Sequence, residues 1–207
     1  MKNNALPLIA ILRGVTPENI LAVAEVLVEE GFSSIEVPLN SPDALTSISM
    51  LVNAYSSKYL IGAGTVTTPK LAEAVIATGA NLVVTPNLNK EVVSMSVAAN
   101  CQCFPGVVTP TEAFAALEYG ASGIKIFPAS VLGIEGFKAL KSVLPTDVKC
   151  YPVGGIEPSN ESMHCWLEAG AYGFGLGSAL FKSEMSLQDI RKRARAYVQV
   201  YQSFTHS

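Results

Sequence analysis

A chain of 207 residues, 49% of them hydrophobic and with a formal net charge of −3, has enough apolar material for one large core and lacks the basic excess of a nucleic-acid binder. No uninterrupted apolar run approaches the roughly 18–20 residues of a membrane span. The start at Met1, Lys2, Asn3 and Asn4 carries no signal-peptide core, so a cytoplasmic protein with neither a membrane nor a nucleic-acid partner is expected.

In chain order, short β-branched runs alternate with segments of helical periodicity. The strand candidates are Leu8 to Leu12, Ser34 to Leu39, Leu60 to Gly64, Leu82 to Thr85, Gln102 to Pro105, Gly123 to Phe127, Lys149 to Val153 and Gly173 to Leu176. Helix starts are signalled at Thr16 and Pro17, Ser41 and Pro42, Thr68 and Pro69, Asn89, Thr109 and Pro110, and Glu157 and Pro158. Several of these set a capping side chain before a proline at the first helical position. Gly31, Gly79, Gly120 and Gly170 each sit where a chain leaves a helix for the next strand. Eight alternating units with no linker predict a single-domain (β/α)8 TIM barrel over residues 1–207. The competing architecture, an open doubly wound sheet, would place GxGxxG after the first strand, and this chain has none there.

Cys101, Cys103, Cys150 and Cys165 show no CxxC spacing and read as reduced packing residues. His164 and His206 have no evident companion ligands, which argues against a histidine metal site or a serine triad. The cluster Arg191, Lys192, Arg193 and Arg195 fits the polar face of a C-terminal helix.

Lys125 lies inside the apolar run Gly123, Ile124, Lys125, Ile126, Phe127, Pro128. Burial there disfavours the ammonium and lowers its pKa, and the neutral amine so released can attack a ketone to form a Schiff base. A lysine snorkelling at a strand edge is the competing reading. Glu36, in Ile35, Glu36, Val37, Pro38, Leu39, is as unusual for a carboxylate, and two such residues make either a structural ion pair or a nucleophile with its proton shuttle. Strand-end residues line the site in this fold, which places Arg13, Asn40, Thr65, Thr85, Pro86 and Asn87 around the pair. The glycine turns at Val153, Gly154, Gly155 and at Gly175, Leu176, Gly177, Ser178 follow the two strands after which such barrels commonly hold phosphate.

The segments LIAILRG, IEVPLNSP, IGAGTV, VVTPN, FPGVVTPTE, IKIFPAS, PVGGI and GLGSALF resemble, in order and nearly end to end, the class I aldolases of 2-keto-3-deoxy-6-phospho sugar acids. The resemblance implies reversible cleavage to pyruvate and D-glyceraldehyde 3-phosphate, without a metal or organic cofactor, in a homotrimer. It makes Lys125 the Schiff-base lysine and Glu36 the general acid and base. Thr65 and Arg13 would hold the carboxylate end, Gly155, Gly177 and Ser178 would bind the phosphate, Val153 and Gly154 would line the substrate, and Pro86 and Phe127 would form apolar walls. Gluconate-specific relatives usually have an arginine four positions after the glutamate and a threonine before the paired glycines. Asn40 and Val153 stand there instead, which points to the galactonate epimer. The rival expectations are the gluconate or 4-hydroxy-2-oxoglutarate activity, a sugar-phosphate isomerase or epimerase, and a non-catalytic sugar-phosphate sensor.

Overall fold

In this computed structural model residues 6–205 are described, so Met1 to Asn4 and His206 lie outside the described residues. Nine parallel strands alternate with eight helices among them. In order these are β1 (Leu6–Ile11), α1 (Ile20–Glu29), β2 (Phe32–Pro38), α2 (Ala44–Tyr55), β3 (Leu60–Gly64), α3 (Pro69–Ala77), β4 (Leu82–Val84), α4 (Lys90–Ala98) and β5 (Gln102–Phe104). There follow β6 (Gly106–Val107), α5 (Pro110–Glu118), β7 (Ile124–Ile126), α6 (Ala129–Val143), β8 (Cys150–Pro152), α7 (Asn160–Glu168), β9 (Phe174–Leu176) and α8 (Leu187–Thr205).

The expected closed (β/α)8 barrel is corrected by the strand pairing. The strands form a six-stranded sheet, β5-β4-β3-β2-β1-β9, and a three-stranded sheet, β6-β7-β8, and not one continuous eight-stranded ring. Pro105 explains one seam. A proline has no N–H to give a ladder, so the run expected as one strand from Gln102 is divided into β5, which pairs with β4, and β6, which pairs with β7. At the other seam, just beyond Pro152, β8 meets the six-stranded sheet through the isolated bridge between Val153 and Gly175.

Side chains alternate in direction along each strand, and this splits the core in two. Leu8, Ala10 and Leu12 join the large cluster between strands and helices. Ile9 joins Leu82, Val84, Phe104 and Tyr151 in a small inner cluster. Phe104 and Tyr151 meet edge to face with centroids 5.0 Å apart, so the two sheets share this interior.

Three helices begin where their caps predict. Thr68 accepts from Leu71 N–H and Asn89 from Val92 N–H. Thr109 and Glu112 form a reciprocal capping box, in which Glu112 Oε2 accepts from Thr109 N–H at 2.9 Å. Thr109→Ala is expected to cost about 0.5–2 kcal/mol in a urea unfolding curve with an unchanged slope. The other three start later, at Ile20, Ala44 and Asn160, because the residues after Thr16, Ser41 and Glu157 first make turns. The last of these is capped by Ser159, whose Oγ accepts from Ser162 N–H.

The basic C-terminal cluster does lie on a helix. Arg191 and Arg195 of α8 pair with Glu29 and Glu30 at the end of α1. The cysteines are free thiols, and burial pushes Cys103 up to about 12 and Cys150 to about 11, which suits packing. Among the described residues no helix is long and apolar enough to cross a membrane.

Candidate active site

Register brings the two unusual charges to one interior. Glu36 on β2 is level with Ile11 on β1, and Ile11 points the same way as Ile9 of the inner cluster. Lys125 on β7 is level with Tyr151 on β8, another inner-cluster residue. Glu36 is 2% exposed and Lys125 is 7% exposed, and each feels the other's charge across the gap between the sheets. The ion pairs among the described residues join Lys138 to Glu135 and Arg191 or Arg195 to Glu29 or Glu30, so the structural ion pair expected as one reading is absent here. The edge-snorkelling reading fails as well, since β7 lies between β6 and β8.

The electrostatics follow from this burial. Desolvation raises the Glu36 carboxyl to about 7, against the smaller opposing pull of Lys125 and Arg13. Desolvation lowers the Lys125 amine, with Glu36 opposing the change and Arg13 assisting it. The Glu36 carboxyl can therefore gain and lose a proton near neutral pH, and the Lys125 amine is more readily neutral than an exposed lysine. The ring of Phe127 supports Lys125, with Nζ 4.4 Å from its centroid. Glu36 Oε2 is buried without a hydrogen-bond partner, which leaves an acceptor aimed into the interior. Gly64 makes room for it, because a Cβ built there would overlap Glu36 Oε2 and Cδ.

Lys125 opens onto a cleft of about 440 Å³. Of the residues expected at the site, Arg13, Lys125, Phe127, Val153, Gly154, Gly155, Gly177 and Ser178 line it. Glu36, Thr65 and Pro86 do not line the cleft. Glu36 is buried, Thr65 follows β3 in the left-handed region at φ +61°, and Pro86 follows β4, its carbonyl packed so closely on Gly106 that a Cβ there would overlap it. Arg13 is exposed at the rim, where its Nη1 donates to Asn40 Oδ1 at 2.6 Å. Asn40 therefore orients that arginine.

Gly154 and Gly155 adopt φ of +102° and +77°, a conformation that other residues take only with strain. Gly177 begins a tight turn, its carbonyl accepting from Leu180 N–H at 2.8 Å and Phe181 N–H at 3.0 Å. The sequence reading missed Ile11 and the stretch Phe181 to Glu184, which close the same cleft. For Ile11 the available signal was its place two residues before Arg13 on an inward-facing strand position. The loop after GLGS carries no comparable pattern.

A desolvated amine at the base of a cleft rimmed by glycine turns, with a desolvated carboxyl buried behind it, suits the chemistry of an imine-forming lyase. The model of the KDPG and KHG aldolases matches residues 1–195, and the chain belongs to that family. It is 46% identical over 196 residues to the 2-dehydro-3-deoxy-6-phosphogalactonate aldolase of Escherichia coli, covering 95% of each chain. The solved native KDPGal structure superposes with a TM-score of 0.94 at 44% identity, covering 98% of this chain and 97% of that one. A KDPG aldolase from Legionella pneumophila, solved with pyruvate captured as a covalent carbinolamine, superposes with a TM-score of 0.80 at 28% identity, covering 98% of this chain and 95% of that one.

Proposed function

We propose that the chain is a cytoplasmic class I aldolase that cleaves 2-keto-3-deoxy-6-phosphogalactonate to pyruvate and D-glyceraldehyde 3-phosphate. The observation that carries this reading is the lowered Lys125 amine beside the raised Glu36 carboxyl, at the base of a cleft that Gly155, Gly177 and Ser178 also line. The two similar galactonate-type proteins support the substrate class, and the carbinolamine held by the Legionella relative supports imine chemistry. Assembly as a homotrimer is part of the same reading, supported by the likeness to a cage built by fusing symmetric oligomeric domains.

Neutral Lys125 Nζ attacks the C2 ketone, and the carbinolamine loses its hydroxyl as water with a proton supplied from Glu36. The protonated imine then withdraws electrons. Glu36, now a carboxylate, takes the C4 hydroxyl proton as the C3–C4 bond breaks and its electron pair enters the imine as an enamine. The aldehyde product leaves, C3 gains a proton, and water releases pyruvate from Lys125. A carboxyl poised near 7 serves both directions of this transfer. Arg13 and Thr65 take the carboxylate end, Gly155, Gly177 and Ser178 take the phosphate, Val153 and Gly154 line the substrate, and Phe127 and Pro86 wall the enamine.

The test is cleavage of the two C4 epimers in parallel, with borohydride trapping of the pyruvate adduct by mass spectrometry. Trapping together with preference for the galactonate epimer is expected. Failure to trap an adduct would remove the imine chemistry. Preference for the gluconate epimer would instead favour the second reading, which Val153 and Asn40 oppose by offering neither a hydroxyl nor a guanidinium at their positions. Val153 is 7% exposed and lines the cleft, so Val153→Thr adds one hydroxyl there with little change of shape. One hydrogen bond, at about 0.5–1.5 kcal/mol, is expected to move the ratio of kcat/KM toward gluconate by about 2- to 13-fold. An unchanged ratio would mean that Val153 does not read C4.

A further inference from the structure

The two glycine turns at the cleft are held from behind by one face of α8. Arg193 Nη1 donates to Ala179 O at 2.6 Å, at the turn begun by Gly177 and Ser178. Tyr197, one helical turn later, donates its hydroxyl to Ile156 O at 2.7 Å, directly after Gly154 and Gly155. Tyr201, a further turn along, donates to Tyr172 O at 2.9 Å, just before β9. Residues four apart share a helix face, so a single stripe of α8 gathers three loop carbonyls. The helix itself is fixed: Arg191 and Arg195, on either side of Arg193, are tied to Glu29 and Glu30.

The segments gathered in this way are joined only weakly to each other. Val153 and Gly175 make an isolated bridge at the seam between the two sheets. Gly154, Gly155 and Gly177 add no side chains to stiffen it. Tyr197 is fully buried, and its hydroxyl satisfies a carbonyl that would otherwise be desolvated without a donor. Arg193, only partly buried, brings a charge-assisted donor to the end of the other turn.

We propose that Arg193 and Tyr197 are positioning residues which lock the two turns in register across the sheet seam and thereby set the preference for phosphorylated over unphosphorylated substrates. The proposal rests on the reading that these turns hold phosphate. Neither residue touches substrate. They act by holding the backbone that would, and a phosphate gripped by two loops is sensitive to their separation in a way that the amine chemistry at Lys125 is not.

The test compares aldol addition of pyruvate to D-glyceraldehyde 3-phosphate and to D-glyceraldehyde, in wild type, Tyr197→Phe, Arg193→Met and Arg193→Lys, with borohydride trapping of pyruvate as the measure of an intact amine site. Tyr197→Phe is expected to lower kcat/KM for the phosphorylated aldehyde by about 2- to 13-fold, mostly through KM, as one neutral hydrogen bond predicts. Arg193→Met loses a charge-assisted bond and is expected to lose about 10-fold or more, with Arg193→Lys recovering part of it. Kinetics with D-glyceraldehyde and the rate of trapping should change by less than about 2-fold, because remote binding energy is lost only where a phosphate is present to use it. If wild type does not discriminate between the two aldehydes, the phosphate reading falls and the proposal falls with it. If wild type discriminates and the variants lose both aldehydes equally, or lose neither, the phosphate reading stands and the positioning role is overturned. Arg193 lies at the surface of its helix, so the Met and Lys variants decide the question even where Tyr197→Phe does not fold.

Discussion

Lys125→Met is expected to abolish both aldol cleavage and borohydride trapping of pyruvate while the protein stays folded. Methionine nearly matches lysine in length and volume, so the site beside Phe127 stays filled while the nucleophile is removed. No substitute amine is at hand. Lys182 is the other lysine bordering the cleft, but it is exposed on the loop after β9 and not held in the interior as Lys125 is. Stability should hold or rise, because the substitution takes an ionisable group out of a low-dielectric interior, where an unpaired charge is costly. Glu36, deprived of a neighbouring positive charge, should then hold its proton more firmly. The check is mass spectrometry of the borohydride-treated variant beside its thermal unfolding curve. A trapped pyruvate adduct on folded Lys125→Met protein would locate the imine on another residue.

How far a sequence discloses such a site depends on whether the signal is local. Lys125 and Glu36 were legible because an ionisable side chain inside an apolar strand is costly wherever that strand lies. The turn glycines were legible too, since Gly31, Gly79, Gly120 and Gly170 all have positive φ. Strand closure was not. Eight runs do precede eight turns, but hydrogen bonding between the first and last parts of a sheet is set by a few residues at its seams. In the sequence Pro105 reads as the end of a strand, whereas its missing N–H divides that strand in two. The support behind the site was equally hidden, because Arg193 and Tyr197 act on carbonyls at Ala179 and Ile156. A carbonyl acceptor has no sequence signature.

Gly64 shows the same limit from the other side. Within IGAGTV it reads as one more small residue ending a strand, yet its missing side chain is what lets β3 lie against the Glu36 carboxylate of the neighbouring strand. What a Cβ at Gly64 would meet is the far end of the Glu36 side chain, which can swing aside where the paired backbones of β2 and β3 cannot. Gly64→Ala is therefore expected to push the carboxylate out of its position facing Lys125 rather than to unfold the sheet, at a packing cost of about 1–3 kcal/mol. Proton transfer through Glu36 should suffer most. Turnover is expected to fall toward that of Glu36→Gln, by roughly 10²–10⁴-fold, since general acid and base catalysis contributes on that order. The rate of pyruvate trapping on Lys125 should fall as well, because dehydration of the carbinolamine to the reducible imine also draws its proton from Glu36, whereas prolonged borohydride treatment should still accumulate adduct as each imine formed is captured irreversibly. Combining the two changes supplies the decisive measurement. If Gly64 acts through Glu36, the double variant should be little slower than Glu36→Gln alone, as expected for residues that work as a unit. Losses that multiply would show Gly64 acting elsewhere, and near-normal turnover in Gly64→Ala would show that the carboxylate does its work from some other position.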